Sequence, residues 1–344
     1  KTARILSQRW KNLGEKDKQN MLRCKEKSLW PYLRYGFNLF FSVHFLYLTV
    51  LYYELCKKII IQEQVNATVL SSTNGLFDKC LTAAAKQNNI PMFIVQHGLG
   101  GFTVNPEVVG DMNFLVFNPL YKQKLLDHGV SPKSIFITGA LVFDDVVTYL
   151  HKKQNKENNL NKTNLFIATS PFIDEKRIKK ETYWKLFAKV IADLQKMPEV
   201  SIVVKLHPLE RNYLDYLAFV RKNGYKNLKI TKNNDRSVFY HLLANCDVFV
   251  NFGSSAALEA LMLNKPVVDI DISGNGLHFT KGSGATIEVL VKDNIGGAVR
   301  RALQKDAKRA QEAKKLIQHF CGKVDGKAYE RAAKVIYEKT FLPP

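Results

Sequence analysis

Short apolar runs alternate with amphipathic segments along most of the chain. From Asn66 onward, continuous apolar stretches are followed by segments in which apolar residues recur every three or four positions. The first pattern predicts strands and the second predicts helices. Strands that alternate with helices are typical of parallel sheets with helices on both faces. The chain is therefore predicted to be an α/β protein.

The alternation falls into two series, separated by a polar stretch rich in Lys and Asn at 151–164. A chain of 344 residues is also long for one small core. Continuous apolar runs at 202–204 and 248–250 indicate strands buried on both faces. We therefore predict two Rossmann-like domains between a basic helical segment and C-terminal helices. The predicted boundaries are 1–35, 36–150, 151–305 and 306–344.

The first 35 residues are strongly basic, with ten Lys and Arg residues against three acids. Their apolar spacing predicts two helices that separate at Gly14. The segments ILSQRWKNL and EKDKQ resemble the second and third helices of an HMG box, over residues 1–27. This resemblance implies DNA binding in the minor groove by shape and by apolar wedges. A basic helical hairpin that packs on the next domain is the alternative.

Residues 37–53 contain no Asp, Glu, Lys or Arg. A membrane-spanning helix needs about 20 apolar residues. This run is shorter, is rich in Tyr and includes several polar residues. We therefore expect a buried helix, or peripheral contact with a membrane, rather than a span.

The net charge of +20 favours an anionic partner, such as nucleic acid, anionic lipid headgroups or phosphorylated small molecules. A solvated lysine-rich surface accounts for part of this charge. The cysteine spacing matches no zinc or redox motif, so reduced thiols and a cytoplasmic location are expected. The sequence begins at Lys1 rather than Met, and we expect the natural start to lie upstream. The cysteines are Cys24, Cys56, Cys80, Cys246 and Cys321.

Small, hydroxyl or cationic residues follow four of the predicted strands. Open parallel α/β sheets bind ligands at the carboxyl ends of their strands. We therefore predict that these residues line one ligand site. In chain order they are Gln96, His97, Gly98, Gly100, Gly101, Thr169, Ser170, Lys205, His207, Gly253, Ser254 and Ser255.

The Gly-Ser-Ser segment at 253–255 precedes a predicted helix. Gly253 allows the backbone to approach a ligand closely, and Ser254 or Ser255 can cap the helix. The free N–H groups and the helix dipole attract phosphate, although plain capping is the alternative. Glu259 lies one turn further on, where a carboxylate can accept hydrogen bonds from a ribose diol or complement the helix dipole.

Lys205 and His207 stand two positions apart at the end of a predicted strand. If the strand persists that far, both side chains point to the same side. A cation beside an imidazole can hold a diphosphate or stabilise a departing one. A histidine that is hydrogen-bonded in the core is the alternative, but Pro208 fixes a turn at the sheet edge and disfavours it.

The segments KLHP and FGSSAALEALMLNKPVV together resemble the C-terminal half of GT-B glycosyltransferases. The sialyl-, Kdo- and CDP-glycerol-type surface-polysaccharide transferases are most similar, and UDP-N-acetylglucosamine 2-epimerases are more distant. The segment IVQHGLGG also resembles the Gln-His-Gly loop of capsule-type transferases. The resemblance covers residues 66–305. It implies that the HP segment and the Ser-Ser helix start hold a donor nucleotide.

The resemblance predicts a glycosyltransferase that moves a sugar from a nucleotide-activated donor to a glycan or lipid-linked acceptor. Lys205, His207 and the two serines, with Thr169 and Ser170, would bind the donor phosphates. Glu259 would bind the ribose. His97 is the candidate general base or acceptor contact, since an imidazole has a suitable pKa. The remaining residues of the acceptor-side loop are Gln96, Gly98, Gly100 and Gly101.

No metal or cofactor is expected beyond the donor, since Asp269 and Asp271 spell the D-x-D motif of a different transferase fold. A polyol-phosphate transferase or a sugar-nucleotide epimerase is an alternative on the same fold. The acidic and arginine motifs of the epimerases are not found, which disfavours that alternative. A DNA-binding protein that acts through its basic N-terminus is the alternative of another class.

Overall fold

The structure, a computed structural model, describes residues 1–24, 26–99, 112–151, 162–272, 274 and 279–342. Gly100 and Gly101 lie outside the described residues, as does most of the polar stretch at 151–164. The described residues form two parallel sheets and one short antiparallel pair of strands. Helices cover the two parallel sheets, and the α/β class predicted from the alternation is confirmed.

The N-terminal segment forms a helical hairpin, α1 (Thr2–Asn12) and α2 (Glu15–Met21), with the predicted break at Gly14. Two short antiparallel strands follow, β1 (Arg23–Cys24) and β2 (Lys27–Ser28).

Helix α1 packs on the rest of the chain through Trp10. The Trp10 side chain is buried, its ring stacks 4.2 Å from that of Phe41, and its Nε1 donates to Asn38 Oδ1 at 3.0 Å. Trp10 is thus in the protein interior, where it cannot serve as a DNA wedge. The packed hairpin is the arrangement observed, and DNA binding by residues 1–27 stays a prediction.

The apolar run at 37–53 is divided between two helices, α3 (Trp30–Phe40) and α4 (Val43–Gln62). The break occurs because Ser42 caps α4, its Oγ accepting from Phe45 N at 3.3 Å. The two helix axes differ by 61°, and among the described residues only this bent pair, and no single helix, has the length and apolar composition of a membrane span. The expectation of one buried helix at 37–53 is therefore wrong. The run belongs to two helices, and one side of α4 faces the protein while the other is exposed.

The first parallel sheet has the strand order β3-β4-β5-β6. Its strands are β3 (Thr68–Leu70), β4 (Met92–Val95), β5 (Met112–Val116) and β6 (Ile135–Ile137). The helices of this part are α5 (Leu76–Gln87), α6 (Pro119–Asp127) and α7 (Asp144–His151).

The second parallel sheet has the strand order β12-β11-β10-β7-β8-β9. The chain runs outward from β7 in one direction and from β10 in the other, so the β7–β10 boundary is a topological switch point. Ligands of doubly wound sheets bind beside such a point. The strands are β7 (Thr163–Ala168), β8 (Val200–Lys205), β9 (Leu228–Thr231), β10 (Val248–Asn251), β11 (Val267–Asp271) and β12 (Ile287–Leu290).

Helices pack on both faces of the second sheet, because its central strands are buried on both sides. These helices are α8 (Lys180–Leu194), α9 (Tyr213–Asn223), α10 (Arg236–Asn245), α11 (Ala256–Met262) and α12 (Ile295–Leu303).

The last two helices are α13 (Ala307–Cys321) and α14 (Ala328–Phe341). Helix α14 returns to the first sheet, where Ala332 packs against Phe93 and Leu115. The Arg331 Nε on α14 donates to the carbonyl of Thr138, just after β6, at 2.6 Å. The whole second sheet lies between these two residues in the sequence. The C-terminal helices thus join the two halves of the molecule.

Candidate functional site

Three of the four predicted strand ends meet at the switch point of the second sheet. The Thr169 N–H, after β7, donates to the Lys205 carbonyl at the end of β8 at 3.2 Å. The Ser170 hydroxyl donates to the Phe252 carbonyl after β10 at 3.0 Å. These bonds hold the ends of β7, β8 and β10 side by side, as a shared ligand site requires.

Lys205 is a buried cation at this edge. Its ammonium lies 5.8 Å from the centroid of the Phe239 ring on α10, and burial lowers the pKa of the lysine. Among the described residues no carboxylate pairs with it: the ion pairs of this region belong to other side chains. A buried charge without a protein counter-ion is costly, and a bound anion removes that cost.

His207 lies beside this cation. Burial lowers the pKa of the imidazole, and the nearby charges of Lys205 and Arg177 lower it further, against Glu175. The Leu209 N–H donates to His207 Nδ1 at 3.2 Å, so the neutral ring carries its proton on Nε2. This tautomer suits donation to an anion, and the predicted role of His207 in stabilising a departing diphosphate stays a prediction.

A buried carboxylate that the sequence reasoning missed holds this loop in place. Glu210 accepts from the His207 N–H at 2.8 Å, from the Tyr216 hydroxyl at 2.9 Å and from the Thr169 hydroxyl. Burial raises the pKa of Glu210. The feature of the sequence that could have indicated Glu210 is its position three residues after His207, in HPLE.

The hydroxyl groups of Thr169 and Ser170 are engaged inside the protein. Thr169 donates to Glu210 and accepts from the His207 N–H at 3.1 Å, whereas Ser170 donates to the Phe252 carbonyl. Both residues are buried. They shape the edge of the sheet here, and direct contact with a donor phosphate stays a prediction.

The Gly-Ser-Ser segment makes a tight turn before α11. Gly253 has φ +75°, in the left-handed region that favours glycine. The Ser254 N–H donates to Asn251 Oδ1 at 3.1 Å, and the Ser254 hydroxyl accepts from the Ala256 N–H at 3.3 Å. Ser255 is exposed at the N-cap position without a side-chain cap. The N–H groups of Ser254 and Ala256 are thus engaged within the turn, and α11 has only seven residues. Phosphate binding at 253–255 stays a prediction.

Glu259 is buried at the junction of the two halves of the molecule. Its Oε1 accepts from Arg236 Nη2 and from the Tyr240 hydroxyl, both at 2.9 Å. Burial raises the pKa of this carboxyl, although both partners oppose the rise. Arg236 also donates to the Val142 carbonyl at 2.8 Å. Because the carboxylate is already engaged, its predicted contact with a ribose stays a prediction.

Arg236 and Tyr240 were not predicted from the sequence. Their spacing of four in RSVFYHLL places both on one face of α10, and this is the only local signal that they act together.

The Gln-His-Gly loop of the first sheet is built by Gln96. The Gln96 Oε1 accepts from the Phe117 N–H at 3.0 Å, and its Nε2 donates to the Gly98 carbonyl at 2.9 Å. Gln96 is buried and His97 is exposed. Their predicted acceptor-side roles, like that of His97 as a general base, stay predictions.

The two aspartates of the D-x-D segment have protein partners. Asn251 Nδ2 donates to Asp269 Oδ1 at 3.1 Å, and Thr280 donates to its other oxygen. Asp271 accepts from the Gly274 N–H at 2.7 Å. Within the described ranges, no three His, Cys, Asp or Glu residues come together as a metal site would require.

One family model matches the chain. Residues 105–337 match the family model described as UDP-N-acetylglucosamine 2-epimerase. A comparison with curated proteins finds no match.

Solved structures with the same fold span most of both chains. The S. aureus MnaA–UDP co-structure has 18% identity and a TM-score of 0.61, covering 86% of this chain and 82% of that one. The UDP-GlcNAc 2-epimerase from Neisseria meningitidis bound to UDP-GlcNAc has 16% identity and a TM-score of 0.58, with coverages of 86% and 82%. A putative UDP-N-acetylglucosamine 2-epimerase from Listeria monocytogenes has 16% identity and a TM-score of 0.58, covering 85% and 79%. The two parallel sheets are thus two Rossmann-like domains of the GT-B type.

The predicted glycosyltransferase is wrong. The family match covers the whole second sheet, including KLHP and the Gly-Ser-Ser turn on which that prediction depended. Both motifs belong to the domain that is expected to bind the nucleotide. A nucleotide-binding domain alone does not distinguish an enzyme that transfers a sugar from one that epimerises it. The epimerase alternative is the one that the match supports.

Proposed function

The chain belongs to the UDP-N-acetylglucosamine 2-epimerase family, and from this membership we propose that it interconverts UDP-GlcNAc and its C2 epimer. The similar structures from S. aureus and N. meningitidis hold UDP and UDP-GlcNAc, respectively. The same nucleotide in this chain would lie at the switch point of the second sheet, with its diphosphate against the carboxyl ends of β7, β8 and β10.

The observation that carries this proposal is the buried ammonium of Lys205, with no carboxylate partner among the described residues. A diphosphate is a compact anion, and its hydrogen bonds to charged donors are short and strong in a water-poor site. The protonated Nε2 of His207 supplies a second donor beside it. An anion bound beside Lys205 opposes the effect of burial and raises the pKa of its ammonium.

Inversion at C2 requires the C2–H bond to break. In a route that uses only side chains, UDP leaves C1 with the electron pair of the C1–O bond while a base takes the C2 proton. A C1=C2 double bond forms, and return of the proton to the opposite face, with return of UDP to C1, gives the epimer. A preorganised cation and a preorganised N–H donor lower the barrier by stabilising the charge that develops on the departing diphosphate, and these are the roles of Lys205 and of neutral His207 in this proposal.

Proton NMR of the full chain with UDP-GlcNAc in D₂O tests the proposal. We expect a second set of anomeric signals from the C2 epimer, with deuterium appearing at C2 in both sugars because the proton exchanges with solvent. A folded protein that gives neither the second sugar nor deuterium at C2 would contradict the proposed function.

A further inference from the structure

The outer side of α4 carries a stripe of large apolar side chains. Each step of four residues turns by about 40° around the helix axis, so these side chains follow a band that winds over nearly half of the circumference. Each is at least 38% exposed, whereas Cys56 and Ile60 on the opposite side are buried. The members of the stripe are Val43, Tyr47, Leu51, Leu55 and Ile59.

Helix α3 extends this surface beyond the bend. Tyr32 and Tyr35 are the most exposed of its large side chains, at 83% and 74%, and Leu39 and Phe40 follow. The rings of Phe40 and Phe45 lie 5.0 Å apart, edge to face, so the two helices contact each other at the bend. We call the exposed apolar side chains of α3 and α4 together the outer apolar face. A contiguous face of this kind marks an interaction surface.

Cations border the outer apolar face. Arg34 is exposed on α3, and Lys57, half-buried, and Lys58, exposed, lie near the C-terminal end of α4. Lys58 is on the same side of α4 as Leu51 and Leu55, and the exposed Glu54 adds one negative charge to that side. Helix α1, which packs on α4, adds exposed Arg and Lys side chains. An apolar face bordered by Lys and Arg matches an anionic lipid surface, which takes up apolar side chains and attracts cations at once.

We propose that the outer apolar face binds the surface of an anionic bilayer, with α3 and α4 lying in the headgroup region. Neither helix alone has the length and apolar composition of a span. A helix with an exposed apolar side and polar residues elsewhere is suited to lie in the interface. The exposed tyrosines have an apolar ring and a polar hydroxyl, the combination that is enriched at the membrane–water boundary. A second copy of the chain fits less well, because two molecules of net charge +20 repel each other.

Vesicle co-sedimentation of the full chain tests this inference. The vesicles are phosphatidylcholine alone, or phosphatidylcholine with phosphatidylserine at roughly 7:3. We expect the protein to pellet with the mixed vesicles and more weakly with the neutral ones. The double variant Tyr47→Glu/Leu51→Glu should bind the mixed vesicles at least about tenfold more weakly, because it removes two apolar anchors and adds two negative charges.

The matched control places the same two glutamates on exposed apolar positions elsewhere. Leu214→Glu/Tyr337→Glu changes side chains that are exposed on α9 and α14, and it should bind the vesicles like the unmodified chain. If Tyr47→Glu/Leu51→Glu does not fold, Tyr32→Glu/Tyr35→Glu replaces it, since these two are the most exposed residues of the face.

Three results would overturn the inference. The unmodified chain could stay in the supernatant, or the Tyr47→Glu/Leu51→Glu variant could pellet as well as the unmodified chain. A chain that is dimeric by light scattering, becomes monomeric in this variant and does not bind vesicles would assign the face to a second copy.

Discussion

The Lys205 ammonium lies 5.8 Å from the centroid of the Phe239 ring, at the carboxyl end of a central strand. The ring face attracts the cation but does not neutralise it. Burial accordingly lowers the pKa of Lys205, and the ammonium lowers that of the neighbouring His207. The pair is thus arranged to bind negative charge rather than to form an ion pair within the protein.

Replacing Lys205 by Met should raise the pKa of His207. Burial is the main cause of its lowered pKa and remains, but the repulsion from the Lys205 charge is lost. The measurement is an NMR titration of the His207 ring against pH. The control is Lys229→Met, which removes an exposed lysine from the adjacent strand β9. An unchanged His207 titration in Lys205→Met would contradict the proximity of the two groups.

Glu259→Gln should gain stability relative to the unmodified chain as pH rises from about 4 to 7. Burial raises the folded-state pKa of Glu259 above the ordinary value of 4.5. Its stabilising contribution is therefore fully present below the unfolded pKa and is lost as pH rises through the folded pKa. Glutamine keeps an oxygen that can accept from both the Tyr240 hydroxyl and the Arg236 guanidinium, so neither partner loses its acceptor.

The measurement is denaturant unfolding at several pH values, taken as the difference between variant and unmodified chain. Glu181→Gln, at an exposed position on α8, is the control against which the pH trend is compared. A Glu259→Gln difference that follows the same pH trend as this control would mean that the Glu259 carboxyl is not perturbed by burial.

Gly139→Ala should destabilise the attachment of α14 to the first domain. Gly139 has φ +91°, and an added Cβ would lie 3.2 Å from the Lys323 carbonyl oxygen and 2.7 Å from Arg331 Nη2. Backbone strain and crowding together should lower the free energy of unfolding by about 2–4 kcal/mol. Gly129→Ala is the matched control, since φ is +81° there with nothing within 4 Å of the added Cβ. It should cost about 1 kcal/mol. Equal losses in the two variants would show that α14 does not pack against Gly139.

Elements with a strong local pattern were predicted closely from the sequence. Helix α13 lies in the segment 306–344 that was predicted to hold C-terminal helices, and its apolar spacing is bounded by Asp306, whose side chain caps the first turn, and by Gly322. The edge strand β12 was missed: burial alternates along its four residues, but the exposed position after Val289 is the apolar Leu290, so the sequence shows only a short, incomplete alternation. The return of α14 depends on contacts such as that of Arg331 with Thr138, which are 193 positions apart and leave no local pattern.

Some residues of the candidate site could likewise be predicted from the sequence, and others could not. Lys205 and His207 were recognisable because strand ends of parallel sheets carry ligands, and that rule needs only the local pattern. Glu210, Arg236 and Tyr240 were missed because Glu210 meets Thr169, and Arg236 and Tyr240 meet Glu259, only when separate elements pack together. The reaction type was missed for a chemical reason: the quoted motifs are those expected to bind a nucleotide, and nucleotide binding is common to transferases and epimerases.

The most direct test of the central claim is calorimetric titration of UDP into the full chain, into Lys205→Met and into Lys229→Met. We predict that Lys205→Met weakens UDP binding by roughly tenfold to a hundredfold, as expected for the loss of a charged donor to phosphate. It should do so without lowering the unfolding temperature, because a buried charge is replaced by an apolar side chain of similar length. Lys229→Met should bind like the unmodified chain. Equal affinity in all three proteins, or no UDP binding by the folded chain, would contradict a nucleotide site at the switch point of the second sheet.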